Sequence, residues 1–346
     1  MPDTIRIGVV GAGANTRRHH IPNLKKIESV EIASVVNRSR ASSERVAQEF
    51  GIPRVHESWR ELVNDPGIDA VVIGTWPYLH CPVTLGALAA GKHVLTEARM
   101  ALNATEARQM LAASRARPDL VTQVVPGPAT FAADPMVMQL LADGHIGELQ
   151  ALDLHVSTGL LNRDAPLHWR MNRDYSGMNI MSMGIWYECI SRWVGPAKAV
   201  MARTRVAVPY RSDAERGERR AVEVPDHVEV LADLANGAIA RLHWSSVAGF
   251  MPGPEVWLYG SEGTLRFEGQ GAVLSGGRRG DKEMTRIAIP EDKTYRWRVE
   301  EEFIGAIRGK EPIRRTSFLD AVNYMDFTEA VHISSREGRR VYLPLA

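Results

Sequence analysis

The first third of the chain alternates short, continuously apolar runs with longer segments of helical character. Apolar runs of this kind, bounded by turn residues, predict strands that are covered on both faces of a sheet. The predicted strands are Ile5–Val10, Glu31–Val36, Ala70–Gly74, His93–Thr96 and Leu120–Val125. The predicted helices between them are Ser43–Phe50, Pro82–Ala90 and one that begins after a polar N-cap at Asn103. This alternation predicts a parallel, doubly wound α/β sheet with right-handed crossovers.

The pattern changes at Pro126-Gly127-Pro128, and we predict a domain boundary just before it, between residues 1–125 and 126–346. Strands cluster beyond this point and favour a mostly antiparallel sheet. The predicted strands are Ala151–Ser157, Ala221–Ala235, Gly237–Trp244, Glu255–Tyr259 and Gly263–Phe267, and the predicted helices are Tyr295–Arg308 and Ser317–Arg336. The highly charged segment Tyr210–Arg220 is predicted to be a solvated loop.

A glycine-rich turn follows the first predicted strand. Gly11 permits a tight turn, and Gly13 has no side chain, so a pyrophosphate can approach the amides at the start of the next helix. This arrangement is typical of the first βαβ unit of dinucleotide-binding proteins, with Thr16 in place of the third glycine of the motif. The alternative is an ordinary strand-to-helix turn of another α/β protein. The candidate cofactor-binding residues in the turn are Gly11, Gly13, Ala14, Asn15 and Thr16.

The end of the second predicted strand carries Asn37-Arg38-Ser39-Arg40, where an NAD site of this class usually has an acidic residue for the ribose hydroxyls. Asparagine can bind a hydroxyl without repelling a phosphate. The two arginines and the hydroxyl of Ser39 could hold a 2′-phosphate through charge-assisted hydrogen bonds. Asn37, Arg38 and Ser39 are therefore candidate cofactor residues, and NADP is preferred over NAD. The alternative is that the arginines are solvated residues at a helix start and that the cofactor is NAD.

Composition excludes several other function classes. The 346 residues are enough for about two domains, and 45% of them are apolar. The 42 basic and 41 acidic residues leave a net charge of +1, which gives no electrostatic case for nucleic acid or for an anionic membrane. Two distant cysteines, Cys81 and Cys189, form no disulfide framework and favour a reducing cytoplasm. The sequence contains no run as long as a membrane span, and no His, Asp or Cys spacing indicates a metal site.

Several stretches in order along the chain resemble one family. They are Gly11-Ala12-Gly13 followed by His20-Ile21-Pro22-Asn23-Leu24, Thr75 with His80, Ala87–Glu97, Arg192–Gly195, Leu258–Leu265 and Arg339–Pro344. Together they resemble the glucose–fructose oxidoreductase / inositol dehydrogenase / MocA (Gfo/Idh/MocA) family. The resemblance implies an N-terminal Rossmann domain and a C-terminal α/β domain with a large open sheet. It also implies a nicotinamide cofactor, a small carbohydrate-like substrate and a homodimer or homotetramer that pairs through this sheet.

The resemblance also implies further cofactor contacts, and it fails where the family has its acid–base groups. By position, Thr75, Trp76, His80, Glu97 and Ala98 are candidate cofactor residues. The family's Glu-Lys-Pro motif corresponds here to Glu97-Ala98-Arg99, so the lysine is absent. In the family's second motif, Ser182, Trp186 and Cys189 stand at the Asp, His and Asp positions. None of the usual proton-transfer groups carries over.

Other titratable groups near the second motif could move a proton instead. Tyr187 and Glu188 adjoin the lost positions, with His168 and Tyr175 upstream. The alternative for Tyr187 is an aromatic packed in the core, and for Glu188 it is a buried partner of Arg192, four residues on. A cluster of arginines favours an anionic substrate such as a carboxylate, phosphate or sulfonate. The candidate substrate residues are Arg99, Arg163, Arg170, Arg173, Asn179 and Trp186.

Three functions remain open on these grounds. The first is an NAD(P)-dependent oxidoreductase that acts on a sugar, a sugar acid or a polyol by hydride transfer at a carbinol carbon. The second is an NAD-dependent glycoside hydrolase, in which transient oxidation, elimination and re-reduction cleave a glycoside, for instance that of an anionic sulfosugar. The third is a cofactor-binding protein without catalytic activity.

Overall fold

The computed structural model describes residues 4–251 and 253–345. Contacts within the chain define two compact units. The first extends to Pro126 and includes Arg298–Met325, and the second comprises Gly127–Trp297 and the chain from Asp326 onward. The sequence analysis predicts a single boundary at residue 125/126, whereas Arg298–Met325 returns to the first unit. A returning segment has no local signature, because its hydrophobic pattern is the same whichever unit it covers.

The strands in chain order are β1 Ile5–Val10, β2 Val30–Val36, β3 Arg54–Val55, β4 Ala70–Ile73, β5 His93–Thr96, β6 Thr122–Val124, β7 Leu149–Ser157, β8 Ala197–Arg205, β9 Tyr210–Asp213, β10 Glu218–Ala221, β11 His227–Leu234, β12 Ile239–Ser245, β13 Glu255–Gly260, β14 Gly263–Glu268, β15 Val273–Arg278, β16 Thr285–Ile287 and β17 Val341–Tyr342. The α-helices are α1 Ile21–Leu24, α2 Arg40–Phe50, α3 Trp59–Asn64, α4 His80–Ala89, α5 Ala104–Ala116, α6 Asp134–Ala142, α7 Arg173–Ser176, α8 Met183–Val194, α9 Val299–Ile307 and α10 Phe318–Glu337.

The first unit contains a six-stranded sheet in the order β3-β2-β1-β4-β5-β6. Every adjacent pair of these strands is parallel, which confirms the doubly wound sheet. The order reverses between β1 and β4, and in open α/β sheets ligands bind outside the carboxyl ends of the strands at this point. The core beside the sheet includes Val10, Leu62, Ile73, Val83 and Val94, each at most 2% exposed.

Two helix starts in the first unit depend on polar caps. Asn103 accepts a hydrogen bond from the Glu106 N–H at 2.9 Å, so α5 begins where the sequence predicts. Ser39 accepts one from the Ser42 N–H at 3.3 Å, and α2 therefore begins at Arg40 instead of the predicted Ser43.

The second unit is built on a nine-stranded sheet in the order β16-β15-β14-β13-β7-β12-β11-β8-β17. Among the described strands of this sheet, β7 and β12 form the parallel pair and the other pairings are antiparallel. The large, mostly antiparallel sheet is thus confirmed. One face is buried through residues such as Leu154, Val230 and Trp244, while Met201 and Leu231 on the other face are each more than half exposed.

Two predictions for the second unit are wrong. The segment Tyr210–Arg220 is no loop, because β9 and β10 pair as a hairpin whose turn is closed by the Gly217 N–H on the Asp213 carbonyl. Tyr210 on one face of β9 is exposed, while Arg211 on the other face is buried and donates to the carbonyls of Asn162 and Ala165, so a charged side chain is accommodated there. The predicted strand Ala221–Ala235 is interrupted between β10 and β11. The sequence analysis also does not predict α6, β8, β15 or β16.

Across the described residues, no helix combines the length and the apolar character that a membrane crossing requires.

Candidate cofactor site and active-site residues

The turn after β1 requires glycine at its first position. Gly11 has φ +85°, and a Cβ atom there would lie 2.8 Å from the backbone nitrogen of Thr75 and against its methyl group. The Gly11 N–H also donates to the carbonyl of Val36 at 2.8 Å. The close approach of three strand ends therefore fixes this glycine for reasons internal to the fold.

Gly13 differs from Gly11, because packing does not require it. A Cβ atom at Gly13 would meet the Gly74 carbonyl oxygen at 3.4 Å, an ordinary contact, and no closer atom. Gly13, Ala14 and Asn15 are exposed and lie in the first turn of a helical segment over residues 14–24, where N–H groups have no partner inside the helix. Exposed amides beside a missing side chain fit a pyrophosphate.

Thr16 occupies the position of the third glycine in dinucleotide-binding turns. It is buried, and its hydroxyl donates to the Gly11 carbonyl at 3.3 Å. A Cβ atom on Gly74 would collide with the Thr16 hydroxyl oxygen. A glycine at the end of β4 thus provides the room that the third glycine normally gives to helix and strand. Thr16 supports the turn from inside, so the structure gives it a packing role.

The residues after β2 are largely committed to the fold. The Asn37 side chain accepts from the Ala12 N–H at 2.7 Å and donates to the Ser42 carbonyl at 3.2 Å. Ser39 caps α2, and Arg40 pairs with the carboxylates of Glu44 and Glu57. These contacts agree with the alternative that the sequence analysis left open, in which this segment is a helix start. Arg38 is exposed, with its guanidinium 5.8 Å from the centre of the Trp76 ring.

The ends of β4 and β5 are tied together by a buried histidine. Nδ1 of His80 lies 2.8 Å from the Arg99 carbonyl oxygen, and Nε2 lies 2.9 Å from the Thr75 carbonyl oxygen. Thr75 and Trp76 are half-buried, and within the described part of the chain the Thr75 hydroxyl has no hydrogen-bond partner. His80 therefore has a structural role, and the Thr75 hydroxyl oxygen beside it is a buried atom.

A charged cluster lies at the end of β5. Nδ1 of His20 is 2.6 Å from Oε1 of Glu300, and Nε2 is 3.0 Å from Oε1 of Glu97. Asn15 donates to the same Glu97 oxygen, and Asn23 donates to the other Glu300 oxygen at 3.3 Å. The side chains of His20 and Glu300 are fully buried, while that of Glu97 is 14% exposed. Glu97 is thus the member of the cluster that is accessible from outside.

The protonation of this cluster follows from its geometry. Burial alone would lower the pKa of His20, but the hydrogen bonds to Glu300 and Glu97 outweigh it and raise the pKa to about 9. Burial would likewise raise the pKa of both carboxyls, yet contact with His20 holds each pKa below its ordinary value. At neutral pH the cluster is an imidazolium between two carboxylates. It keeps Glu97 ionised and fixed in orientation.

The residue at the position of the family's lysine is small and partly exposed. Ala98 is half-buried, and its N–H lies 3.2 Å from Oε2 of Glu97. Arg99, a candidate substrate residue, is only 3% exposed, and the Ala98–Arg99 peptide bond is cis. Burial limits what the Arg99 guanidinium can offer to a ligand.

Helix α8 of the second unit holds three of the candidate residues, and all three are buried. The Tyr187 ring stacks on Phe327 with 3.7 Å between ring centres, and its hydroxyl accepts from the Ala197 N–H at 2.8 Å. Burial raises the pKa of Tyr187. These contacts agree with the alternative given for Tyr187, a packed aromatic whose hydroxyl is satisfied, and its hydroxyl holds the start of β8. Trp186 is 7% exposed.

Glu188 has a structural partner on each oxygen. Its Oε1 lies 2.8 Å from Nη1 of Arg192, and its Oε2 accepts from the Gly127 N–H at 2.9 Å. Arg192 also pairs with the buried Asp134 at 2.9 Å. The ion pair corresponds to the alternative given above for Glu188, and the structure does not support a role in proton transfer.

The segment between β7 and α8 carries the remaining candidates. His168 is an exposed residue. Partial burial of its ring, together with the charge of Arg170, lowers its pKa. Arg170 lies over the Trp169 ring at 4.2 Å, Arg163 is exposed, and Arg173 pairs with Glu223 at 2.6 Å. Tyr175 is half-buried, and Asn179 is buried and donates to the Ser176 carbonyl. The ion pair with Glu223 offsets the charge of Arg173.

The sequence analysis does not predict the cluster of His20, Glu97 and Glu300. Glu300 lies within a helix that the pattern does predict, but that helix is assigned there to the other domain. The available signal is a run of three glutamates at the helix start, of which Glu300 and Glu302 are buried. Buried carboxylates require a partner, and a histidine in the first unit supplies it for Glu300.

Comparisons with known sequences identify the family of the chain. Residues 5–124 match the model of the Gfo/Idh/MocA oxidoreductase family, NAD-binding Rossmann fold, and residues 136–266 match a C-terminal domain model of the same family. An uncharacterized oxidoreductase of Synechocystis is 27% identical over 75% of this chain and 71% of that protein. A trans-1,2-dihydrobenzene-1,2-diol dehydrogenase of Mus musculus is 30% identical over 53% of this chain. The match spans 54% of that enzyme's length.

Solved structures show the same fold over the whole chain. Levoglucosan dehydrogenase in complex with NADH and L-sorbose has a TM-score of 0.86 and 19% identity, and 99% of each chain is covered. An NAD-binding oxidoreductase from Klebsiella pneumoniae has a TM-score of 0.82 and 24% identity, with 99% of this chain and 100% of that one covered. With both of its family models matched in order, the chain belongs to the Gfo/Idh/MocA family of oxidoreductases, which have an NAD-binding Rossmann fold.

Proposed function

We propose that the protein is an NAD(P)-dependent dehydrogenase that oxidises a secondary alcohol of a sugar, a sugar acid or a polyol. The observation that carries the proposal is the turn at Gly13. Packing does not require a glycine there, and the missing side chain leaves the exposed start of the following helical segment open at the switch point of the sheet. The names of the relatives support a redox reaction at a hydroxyl-bearing carbon, since they include diol and levoglucosan dehydrogenases. They give no support to the glycosidase or to a protein without activity.

The cofactor would lie along the carboxyl ends of β1, β2, β4 and β5. Gly13, Ala14 and Asn15 would bind the pyrophosphate, and the residues after β2 would bind the adenosine ribose. We retain the preference for NADP and assign the 2′-phosphate to Arg38, which is exposed just beyond β2 with its guanidinium 5.8 Å from the centre of the Trp76 ring. Replacement of Arg38 by Ala would then raise the KM for NADP+ at least tenfold and leave that for NAD+ within about twofold.

Glu97, Ala98 and Thr75 would form the protein side of the nicotinamide site. The nicotinamide supplies the redox chemistry by accepting a hydride from the carbon that bears the hydroxyl. The cluster of His20 and Glu300 fixes the Glu97 carboxylate, so that it presents an oriented hydrogen-bond acceptor. The Thr75 hydroxyl provides a donor on the neighbouring strand. Ala98 leaves room where the family has a lysine.

A proton must leave the substrate hydroxyl when the hydride leaves its carbon. We assign this proton to His168, because its lowered pKa keeps the imidazole neutral and able to accept at pH 7. Tyr175 is the second candidate. A His168→Ala variant is expected to lose at least about 100-fold in kcat, the usual loss for a general base. A Tyr175→Phe variant serves as the comparison.

We propose that the substrate carries a negative charge, as a sugar acid does. Arg163 and Arg170 are exposed on one segment, and a guanidinium binds a carboxylate through two parallel hydrogen bonds. Arg173 is the weaker candidate because Glu223 neutralises it. We propose only a minor part in substrate binding for Arg99, Asn179 and Trp186, because their side chains are buried.

We also propose that the protein is cytoplasmic and pairs with a second copy. The free thiols of Cys81 and Cys189 are buried, which is compatible with a reducing compartment. Met201 and Leu231 face one another across β8 and β11 on the open side of the sheet. Exposed apolar side chains on a broad sheet face favour association of two copies through it.

A direct assay tests the function. The purified protein is incubated with NAD+ or NADP+ and a panel of neutral sugars, sugar acids and polyols, and the near-ultraviolet absorbance of the reduced nicotinamide is followed. Net formation of reduced cofactor with a member of the panel supports the proposal. Cleavage of a glycoside without net reduction would instead support the glycosidase, and binding of the dinucleotide without any turnover would contradict an enzymatic role.

A further inference from the structure

A group of metal-binding side chains lies on the open face of the nine-stranded sheet. His227 and Glu229 are two positions apart on β11, so their side chains point to the same face. His243 on β12 is directly opposite Glu229 in the strand register. We call His227, Glu229 and His243 the sheet-face triad. It belongs entirely to the second unit and contains none of the residues assigned to the cofactor.

The distances in the triad are short enough for a shared ion. Oε1 of Glu229 lies 2.6 Å from Nδ1 of His243 and 3.5 Å from Nε2 of His227. One ligand atom from each residue lies within 4.8 Å of the other two. A Zn²⁺ ion bound at roughly 2.0–2.2 Å from each atom requires separations of about 3.5 Å. Rotation of side chains closes this gap, and the backbone need not move.

The surroundings of the two imidazoles support the assignment. Nδ1 of His227 lies 3.1 Å from the Ser245 hydroxyl, whose oxygen also accepts from the N–H groups of Val247 and Ala248, and this contact holds the ring of His227 in orientation. His243 is only 9% exposed, so its imidazole is held beside Glu229 by its surroundings.

We propose that the sheet-face triad binds a divalent transition-metal ion, with Zn²⁺ as the best match. Two imidazoles and one carboxylate are a typical donor set for zinc, and three protein ligands leave a fourth position for water. The Glu229 side chain is 55% exposed in the single chain, so an ion can reach the triad before a second copy covers this face. The proposal does not depend on the dehydrogenase activity proposed above.

Neighbouring charges set the expected affinity. Arg203 and Arg205 on β8 stand across from Glu229 and His227 in the register. Their positive charge opposes the binding of a cation. We therefore expect a dissociation constant in the micromolar range for Zn²⁺, and not the much tighter binding of structural zinc sites. The sequence analysis predicts no metal site, because the three ligands come from two strands that only the strand register brings together.

Equilibrium dialysis of the full chain against ZnCl₂ with metal analysis, and absorption spectroscopy with Co²⁺, test the proposal. We expect one Zn²⁺ per chain and visible Co²⁺ bands typical of tetrahedral coordination. His243→Ala and Glu229→Gln should each raise the dissociation constant at least tenfold. Circular dichroism without metal checks that both variants fold, and Glu229→Gln removes a ligand charge from an exposed side chain with little change in shape.

The matched control is His155→Ala. This histidine lies on β7 directly opposite His243, with 6.0 Å between the ring centres, but it is not part of the triad. Its removal should leave the Zn²⁺ dissociation constant within about twofold. Equal weakening by His155→Ala and His243→Ala, or wild-type binding no tighter than that of the His243→Ala variant, would overturn the proposal.

Discussion

Nδ1 of His20 lies 2.6 Å from Oε1 of Glu300, and neither side chain has any exposed surface. The two residues are 280 positions apart in the chain. A buried ion pair over this separation attaches helix α9 to the helical segment over residues 14–24 within the first unit. The pair also acts on Glu97, because the same imidazole donates to that carboxylate. One histidine therefore connects the stability of the fold with the orientation of Glu97, a residue of the proposed cofactor site.

Removal of His20 should destabilise the protein strongly. A His20→Ala variant leaves the carboxylates of Glu97 and Glu300 close together without a cation. Breaking a buried ion pair by removal of one partner typically costs about 3–5 kcal/mol in the free energy of unfolding. Urea denaturation at pH 7 measures this loss. The neighbouring His19→Ala variant is the control, with an expected loss of no more than about 1 kcal/mol. Equal losses in the two variants would show that the ion pair contributes little.

The stability of the wild-type protein should fall as the pH rises from neutral. The pKa of His20 is about 9 in the folded protein, above the ordinary value of 6.5. The imidazolium therefore contributes its full stability below pH 6.5 and loses it as the pH rises through 9. The pKa difference corresponds to about 3 kcal/mol.

The measurement is the free energy of unfolding between about pH 6 and pH 9 for the wild type and for His20→Gln. Other groups titrate in this range in both proteins, so the difference between the two curves isolates His20. We expect that difference to shrink by about 3 kcal/mol across the range. A constant difference would mean that the pKa of His20 is the same in the folded and the unfolded protein, so that the two carboxylates do not raise it.

A Tyr187→Phe variant should remain active. The hydroxyl of Tyr187 accepts from the buried N–H of Ala197, and its loss leaves that N–H unsatisfied at a cost of about 1–3 kcal/mol in stability. The kcat should stay within about twofold, because the ring still stacks on Phe327. Steady-state kinetics and thermal denaturation of the same sample separate the two effects. A drop in kcat of about 100-fold or more with unchanged stability would restore Tyr187 as an acid–base group.

Much of the first unit can be predicted from sequence because its signals are local. Continuous apolar runs mark the strands of a sheet covered on both faces, and Asn103 marks a helix start through its own side chain. Gly11 is predictable as well, since a tight turn after a strand requires its backbone conformation. Gly74 leaves the room that the Thr16 side chain needs. This contact joins residues that follow two different strands, so no local sequence pattern reveals it.

The chemistry of the buried side chains could not be predicted in the same way. The spacing along the chain already offers Arg192 as a partner of Glu188, but it does not reveal that Phe327 stacks on Tyr187. His20 and Glu300 meet only because a distant segment returns to the first unit. The sheet-face triad likewise depends on the register between β11 and β12. In each case the missing information is a long-range contact.

The central claim, a nicotinamide dinucleotide bound at the turn after β1, is tested most directly by a binding titration. NADH and NADPH are titrated into the wild type and into Gly13→Val, with tryptophan fluorescence as the signal and urea denaturation as a check on folding. The account predicts saturable binding to the wild type. It also predicts at least a tenfold weaker affinity for Gly13→Val with a nearly unchanged free energy of unfolding, because the new side chain fills the pyrophosphate path and not the core. Unchanged affinity in a folded Gly13→Val, or no binding of either nucleotide to the wild type, would contradict it.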